Sequence, residues 1–187
     1  MTRAYRRQID DEIIDRAAAL FARHGFADTS LKALADAAGL SKPGLLHHYP
    51  SKETLYRAVM DTVQAGIGQV LQEVDHLPGG LERDRLSIEL LADFALERPG
   101  LVALATAEVT RLGVGDERDF PVVTEDGVSA FEVFDVDPIG RDNERIVRVI
   151  GTLSALGMLS LAAHHFDRKS LWRRHIVNTC LNTLGYC

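Results

Sequence analysis

Cysteines and the signature motifs of enzymes are scarce in this sequence, and each absence excludes a class of protein. The two cysteines, Cys180 and Cys187, form no CxxC pair and have no histidine at metal spacing, which argues against a disulfide framework or a zinc site. No GxSxG, HExxH, Walker A or GxGxxG motif occurs. We therefore expect a protein that is not an enzyme and that carries no cofactor.

Two weaker metal patterns are also incomplete. His164, His165 and His175 lie in one C-terminal stretch, but no acid or cysteine accompanies them at ligand spacing, which favours pocket or surface histidines. Asp135 and Asp137 imitate the start of a calcium loop, yet the glutamate required at its twelfth position is missing. The sequence predicts no metal site.

No secretion signal or membrane span is expected. Arginines and an aspartate near the N-terminus leave no apolar stretch for a signal peptide. The longest apolar run, Val149–Ala163, contains hydroxyl residues and two glycines and falls short of the ~20 residues that cross a bilayer. A cytoplasmic protein without a membrane partner is the expectation.

Charge is distributed unevenly along the chain, whose formal net charge is −6. Residues 1–60 carry nine Lys and Arg against seven Asp and Glu, a net charge of +2, and the remainder carries twelve against twenty, a net charge of −8. Arg3, Arg6 and Arg7 form an arm before the first expected helix, which either contacts DNA or is a solvated terminus. The segment 113–143 has nine acids against two arginines, and the apolar residues near its end fit a short helix or an extended segment.

The segment from Thr29 to Lys52 has the pattern of two short helices joined by a glycine turn. Thr29 or Ser30 can cap the first helix, and Gly39 supplies the positive φ that ends it. One apolar face of this helix is formed by Leu31, Leu34, Ala35 and Ala38. The arrangement is typical of a helix-turn-helix that binds DNA.

The second helix of the pair is short and presents mainly polar side chains outward. Ser41 is placed as its N-cap, Pro43 lies in its first turn, and Leu45 points inward. The helix must end at Tyr49, because the following Pro50 excludes Tyr49 from the α region. The outward positions are Lys42, Leu46, His47 and His48.

Two lysines occupy first turns of helices in this segment. Lys42 follows Ser41 and Lys52 follows Ser51, where a positive charge opposes the helix dipole. A phosphate bound at each helix N-terminus explains both positions. The segment is thus expected to contact double-stranded DNA, and the alternative is a three-helix core fragment with solvated lysines.

Apolar periodicity before this pair predicts a supporting helix that stops at Gly25. Its inward positions are Ile9, Ile13, Ile14, Ala17, Leu20 and Phe21. Residues 9–60 resemble the TetR-like family of bacterial transcriptional regulators. The matching elements are Gly25-Phe26, Thr29-Ser30, Leu34-Ala35, Ala38-Gly39-Leu40-Ser41, Tyr49 and Ser51-Lys52-Glu53.

The resemblance implies roles for individual side chains. Lys32 is implied as a groove or phosphate contact and Lys52 as a phosphate clamp. Leu46 stands where the family usually has a tyrosine, so an apolar contact is kept and a hydroxyl is lost. The predicted DNA-binding set is Thr29, Ser30, Lys32, Ser41, Lys42, Pro43, Leu46, His47, His48, Tyr49 and Lys52.

The expected fold class is all-α, with an N-terminal three-helix DNA-binding domain and a helical ligand-binding and dimerisation domain. We assign residues 1–50 to the helix-turn-helix domain, 51–75 to a connecting helix, and 76–187 to the effector-binding and dimerisation domain. Pro78-Gly79-Gly80 provides the break after the connecting helix.

The last two expected helices predict a homodimer. One of them is apolar nearly all round and contains two internal glycines, so it needs partners on two faces. The resemblance implies a four-helix bundle with a second subunit, and burial within a monomer is the alternative. The predicted interface residues are Ile150, Leu153, Gly157, Leu161, Trp172, Ile176 and Cys180.

Apolar and aromatic side chains in the body predict a cavity for an unknown small-molecule effector. The candidate lining residues are Phe94, Leu101, Leu104, Thr106, Phe131, Phe134, Met158 and His164. Two functions fit the sequence. One is a transcriptional regulator, a repressor released from a palindromic operator by the effector. The other is a small-molecule-binding or enzymatic helical protein with a structural helix-turn-helix.

Overall fold

The chain folds into helices that pack in two hydrophobic clusters. A computed structural model describes residues 3–111, 129–136 and 144–186, with side chains described over 8–107, 129–136 and 144–186. The helices are α1 (Arg3–Asp28), α2 (Leu31–Ala37), α3 (Lys42–His48), α4 (Lys52–Val74), α5 (Leu81–Glu97), α6 (Pro99–Arg111), α7 (Ala130–Val133), α8 (Glu144–His165) and α9 (Lys169–Leu184). No strand occurs in these ranges, and the all-α class is confirmed.

Several sequence predictions fall outside the described residues. Most of the acidic segment lies at 112–128 and 137–143, which includes the later positions of the incomplete calcium loop, and Cys187 lies beyond residue 186. Within the described part of that segment, Ala130–Val133 forms α7, with the Ser129 hydroxyl accepting the Phe131 N–H at 3.2 Å. The choice between helix and extended segment is thereby settled for these four residues.

The prediction of a basic arm before the first helix is wrong. Helix α1 begins at Arg3, so Arg3, Arg6 and Arg7 belong to its first turns and do not precede it. The physical reason is composition, because arginine, alanine and glutamine are good helix formers and no glycine or proline interrupts this stretch.

We refer to residues 3–60 as the head and to the other described residues as the body. The head is built on α1, which packs against α2, α4 and also α6, while α3 packs against α2. Its buried core comprises Ile13, Ile14, Ala17, Ala18, Phe21, Leu34, Ala35, Leu45, Leu55, Val59, Leu101 and Leu104. Leu101 and Leu104 come from α6, so one helix of the body completes the core of the head.

The body is a bundle in which α8 packs against α5, α6 and α9. Its fully buried side chains include Val74, Ile88, Phe134, Val149 and Ile176. A Cβ atom on Gly157 would lie 2.8 Å from Thr106 Oγ1, so this glycine permits α8 to approach α6 closely.

Two neighbouring charged residues are buried at the start of α5. The Arg83 guanidinium donates to four main-chain carbonyl groups, those of Val74, Leu77, Glu132 and Val133. Asp84 is fully buried. Its carboxylate accepts hydrogen bonds from both terminal guanidinium nitrogens of Arg145 at 2.7 Å and from the Tyr186 hydroxyl at 2.8 Å. These contacts join the end of α4, α7, the start of α8 and the C-terminal residues.

By length and composition alone, α8 could cross a membrane. The helix is longer than the apolar run Val149–Ala163, from which the sequence predicted that no span is present. In the described part of the chain, Glu144–His165 is the one helix that meets these criteria, and 33% of its apolar window is buried inside the protein. This is weak evidence for a span, since core helices of soluble proteins meet the same criteria.

Candidate nucleic-acid interface

Two short helices with side-chain caps form the helix-turn-helix. The Ser30 hydroxyl accepts the Ala33 N–H at 3.1 Å and begins α2, and the Ser41 hydroxyl accepts the Gly44 N–H at 3.1 Å and begins α3. Between them, Gly39 adopts a φ of 68°. Helices this short are marginal alone, so capping and burial must hold them. The predicted Ser41 cap and glycine turn are confirmed.

Thr29 has a structural role and not the DNA contact assigned to it. It is 3% exposed, and its hydroxyl donates to the Gly25 carbonyl at 2.6 Å. Gly25 interrupts α1 with a φ of 76°, and carbonyl groups at such a break need donors from outside the helix ladder. Thr29 thus closes the end of α1 and is not accessible to a duplex.

Helix α3 has distinct inward and outward sides. Leu45 is fully buried, whereas Lys42, Pro43 and His47 are exposed and Leu46 is half-buried. An ammonium group on the outside of a recognition helix suits a phosphate, and an imidazole suits a base edge. The outward face of α3 is therefore the candidate surface for a major groove, and the exposed Ser30 and Lys32 flank it on α2.

His48 does not join this outward face. Its Nδ1 lies 2.8 Å from Oδ1 of Asp10 on α1, and its side chain is only 17% exposed. The structure thus corrects the predicted groove contact, because the imidazole is engaged in fixing the C-terminal end of α3 to α1.

Tyr49 follows as a half-buried residue at the end of α3. Burial, together with the negative charges of Asp10 and Asp11, raises the pKa of Tyr49 to about 12. The phenol is therefore neutral near pH 7 and keeps its proton as a hydrogen-bond donor.

Lys52 is engaged with the end of α1. Its Nζ donates to the carbonyl groups of Phe26 at 2.7 Å and Ala27 at 3.2 Å, and it lies 4.3 Å from the centroid of the Phe26 ring. The lysine thus satisfies carbonyl groups where the helix ladder ends, and it also makes a cation–π contact. This contact fixes α4 to α1, a role that the phosphate-clamp prediction did not include.

The predicted effector-binding residues are not brought together in one place. Leu101 and Leu104 are buried in the head core, whereas Phe131 and Phe134 are buried in the body core. These four side chains pack against other apolar groups of the chain itself, so their size and apolarity are explained by core formation.

The remaining predicted effector residues divide into exposed and half-buried pairs. Met158 is 59% exposed and His164 is exposed, so neither lines an interior cavity. Phe94 and Thr106 are half-buried, and Phe94 packs so closely on Gly66 that a Cβ there would lie 2.6 Å from the ring. Only this second pair retains a position compatible with an interior site.

Three predicted dimer residues are buried within the chain. Ile176 is 2% exposed, Cys180 is fully buried, and Gly157 faces α6. Burial raises the pKa of the Cys180 thiol to about 12, which keeps it protonated. Ile176 and Cys180 are buried because α9 packs against α5 and α8 of the same chain, and Gly157 is buried because α8 packs against α6.

Other apolar side chains of the last two helices are exposed. Ile150, from the predicted set, is 38% exposed, and Leu153, Leu161 and Trp172 are half-buried. The predicted set does not include Val147, Phe166 and Leu171, which are 70%, 59% and 63% exposed. The spacing of Val147, Ile150 and Met158 at three and then eight residues places them on one side of α8, a signal that was available in the sequence.

Metal binding finds no support in the described ranges. Over 8–107, 129–136 and 144–186, no group of three or more His, Cys, Asp or Glu side chains is placed to hold a metal ion.

The capped pair α2–α3, with its glycine turn and an exposed basic and imidazole face, defines a helix-turn-helix DNA-binding domain. Residues 13–59 match the family model for bacterial regulatory proteins of the tetR family. The resemblance to TetR-like regulators is therefore confirmed, and it is carried by the head.

Relatives by sequence support the same assignment. The probable acrEF/envCD operon repressor of Escherichia coli (strain K12) is 35% identical over 83 residues, which cover 44% of this chain and 36% of that protein. The HTH-type transcriptional repressor KstR2 of Mycolicibacterium smegmatis is 33% identical over 113 residues, or 59% of this chain and 54% of that protein. Each match covers less than two thirds of the relative.

The structural similarity extends over nearly the whole chain. The crystal structure of the probable transcriptional regulatory protein RHA5900 has a TM-score of 0.56 and 19% sequence identity, and the match covers 95% of this chain and 100% of that one. At this identity the match establishes the shared fold. The similarity of fold therefore includes the body.

Proposed function

We propose that this protein is a sequence-specific transcriptional regulator, a repressor that binds a palindromic operator in double-stranded DNA as a cytoplasmic homodimer and is released by a small-molecule effector. One observation carries the proposal: α3 exposes Lys42, Pro43 and His47 while Leu45 anchors it in the head core. The names of the relatives, which are repressors and regulators, support the same function.

Each exposed group of the head has chemistry that suits one part of a duplex. Lys42 lies in the first turn of α3, where its ammonium and the helix N-terminus together suit a phosphate, and Lys32 suits a neighbouring phosphate. His47 is assigned to base edges, and Leu46 to apolar contact such as a thymine methyl group. The neutral phenol of Tyr49 remains a donor to the DNA backbone.

The dimer is assigned to the outer side of α8 and α9. Val147, Ile150 and Met158 form an exposed apolar stripe on α8, and Leu171 is exposed on α9, which packs against α8. A second copy of this stripe would remove apolar surface from water. In such a dimer the two α3 helices are expected to lie roughly 34–36 Å apart, one turn of DNA.

We retain the division into residues 1–50, 51–75 and 76–187, with α6 shared between head core and body. The effector is assigned to the interior of the body, where Gln64 Oε1 and Ser160 Oγ are buried without a hydrogen-bond partner. Unpaired buried acceptors are costly, so a ligand that donates hydrogen bonds would stabilise the structure that binds it.

Selection of duplexes from a random library by the purified protein tests the proposal. A palindromic sequence is expected to be enriched, and Lys42→Ala/His47→Ala is expected to abolish the enrichment while keeping the fold, since both side chains are exposed. The matched control, Lys169→Ala/His76→Ala, removes the same residue types from exposed positions of the body. A wild-type protein that enriches no sequence would contradict the proposal and favour a helical binding protein with a structural helix-turn-helix.

A further inference from the structure

The junction between α5 and α6 lies directly against α1. Helix α5 ends at Glu97 and α6 begins at Pro99, so Arg98 alone connects them. Arg98 also forms an ion pair with Asp11 of α1 at 3.1 Å. The start of α6 is therefore held to the helix on which the head is built.

The first turn of α6 is capped by a residue of α1. Pro99 has no N–H group, and Oδ1 of Asp15 accepts the N–H groups of Gly100 at 2.9 Å and Leu101 at 3.1 Å. A helix usually obtains this cap from the residue just before it, but Arg98 has no acceptor in its side chain. Asp15 supplies the missing acceptor from 85 positions away.

Gly100 brings the two backbones into contact. A Cβ atom at this position would lie 1.8 Å from the Asp15 carbonyl oxygen and 2.7 Å from its carbonyl carbon. Because both obstructing atoms belong to the backbone, no rotation of a side chain could make room. The junction therefore accepts only glycine at this separation of α1 and α6.

Apolar packing adds a third component. Leu101 and Leu104 follow the capped turn and are 1% and 2% exposed within the head core. A rotation or shift of α6 would therefore move the cap, the backbone contact and these two leucines together.

We propose that Asp15, acting with Gly100, is a positioning residue that sets the orientation of the DNA-binding head relative to the body. Gly100 and Leu101 are buried against α1, so the Asp15 carboxylate satisfies N–H groups that the packing shields from water. Because this carboxylate belongs to α1, it also fixes the orientation of α6 relative to α1. This inference rests on the proposed DNA-binding function, because the orientation of two heads in a dimer determines which half-site spacing they fit.

The first experiment measures head orientation without DNA. Spin labels at Ala33→Cys on α2 and Glu82→Cys on α5 occupy exposed positions, in a Cys187→Ser background with unlabelled protein added to dilute contacts between subunits. We expect a narrow distance distribution in this protein, a broader or shifted one after Asp15→Ala, and recovery with Asp15→Asn, whose amide oxygen accepts the same two N–H groups. The matched control is Asp61→Ala, which removes an exposed carboxylate of α4.

The second experiment measures spacing preference with DNA. Probes are the palindromic duplex enriched in the selection above, versions with one base pair added or removed between half-sites, and a single half-site. Asp15→Ala is expected to keep half-site affinity and to lose about tenfold of the preference for the native spacing, ~1.4 kcal/mol. A purely structural role would lower half-site and full-site affinity together.

The two experiments separate failure of the inference from failure of the proposed function. An unchanged distance distribution in Asp15→Ala, or an unchanged spacing preference, overturns the inference. If the wild-type protein enriches no duplex, the proposed function fails, and the distance measurement still decides whether Asp15 orients the head.

Discussion

The head and the body of this protein are stabilised in different ways. In the head, α2, α3 and α4 each begin at a serine whose hydroxyl accepts a main-chain N–H group. In the body, α5 and α9 begin without a side-chain cap. The caps matter most for the seven-residue helices α2 and α3, which bury few residues and depend on their ends, whereas long helices depend mainly on packing.

The ion pairs of the head and of the body also differ in how deeply they are buried. The head uses exposed or half-buried pairs such as His48 with Asp10, which fix short helices to α1. The body buries a charged pair, Asp84 with Arg145, in which the carboxylate has no exposure. Buried charges are expensive to leave unpaired, so the body is expected to be the more sensitive to loss of a single polar group.

The largest expected effect is therefore in the body. Asp84→Ala should destabilise the fold by about 3 to 5 kcal/mol, because it leaves the Arg145 guanidinium and the Tyr186 hydroxyl without their shared acceptor. Asp93→Ala is the matched control, since Asp93 also pairs with an arginine, Arg173, but is 48% exposed, and it should cost at most about 1 kcal/mol. Urea unfolding measures both, and equal losses would contradict the distinction.

In the head, the largest effect is expected from the core of α3. Leu45 is fully buried, and Leu45→Ala should cost roughly 2 to 5 kcal/mol and abolish DNA binding. The neighbouring Leu46 is half-buried, so Leu46→Ala should cost clearly less and mainly change base preference. Thermal unfolding and duplex binding compare the two, and a similar stability loss would show that α3 is oriented differently.

Much of the head could be predicted from sequence because its signals are local. The caps at Ser41 and Ser51 and the turn at Gly39 each depend on residues within one helical turn. The partners of His48 and Lys52 were missed because they lie 38 and 25 or 26 positions away, and no local pattern encodes such contacts.

In the body, periodicity indicated apolar faces without showing which of them packs inside the chain. Ile176 and Cys180 were assigned to the dimer surface, yet they are buried against the protein's own helices. Val147 and Leu171, which are exposed, were left out of that set for the same reason. A helix with two apolar sides packs one of them in its own core, and only the packed structure shows which one.

The exposed stripe of α8 gives a prediction of intermediate size. Met158→Asp should weaken the dimer at least tenfold, about 1.4 kcal/mol, because it places a charge in the proposed apolar contact. Leu81→Asp is the matched control, because Leu81 is 46% exposed at the start of α5, away from the stripe. Sedimentation across a concentration series decides the matter, and a wild-type monomer at micromolar concentration would refute the dimer.

The smallest predicted effect concerns the cap of α3. Ser41→Ala should cost about 1 kcal/mol, because the Gly44 N–H loses its acceptor. Ser41→Asp should recover the loss, since a carboxylate also caps and suits the helix N-terminus. Melting temperatures provide the measurement, and an alanine variant as stable as the wild type would show that the cap contributes nothing to the head.

Hydroxyl-radical footprinting of the wild-type protein on the enriched duplex tests the central claim most directly. We expect two equivalent protected half-sites centred roughly 10 base pairs or a multiple of that apart, with protection lost in Lys42→Ala/His47→Ala. Uniform protection along the duplex, a single protected site, or protection that survives the double substitution would contradict the claim that α3 of a dimer reads the operator.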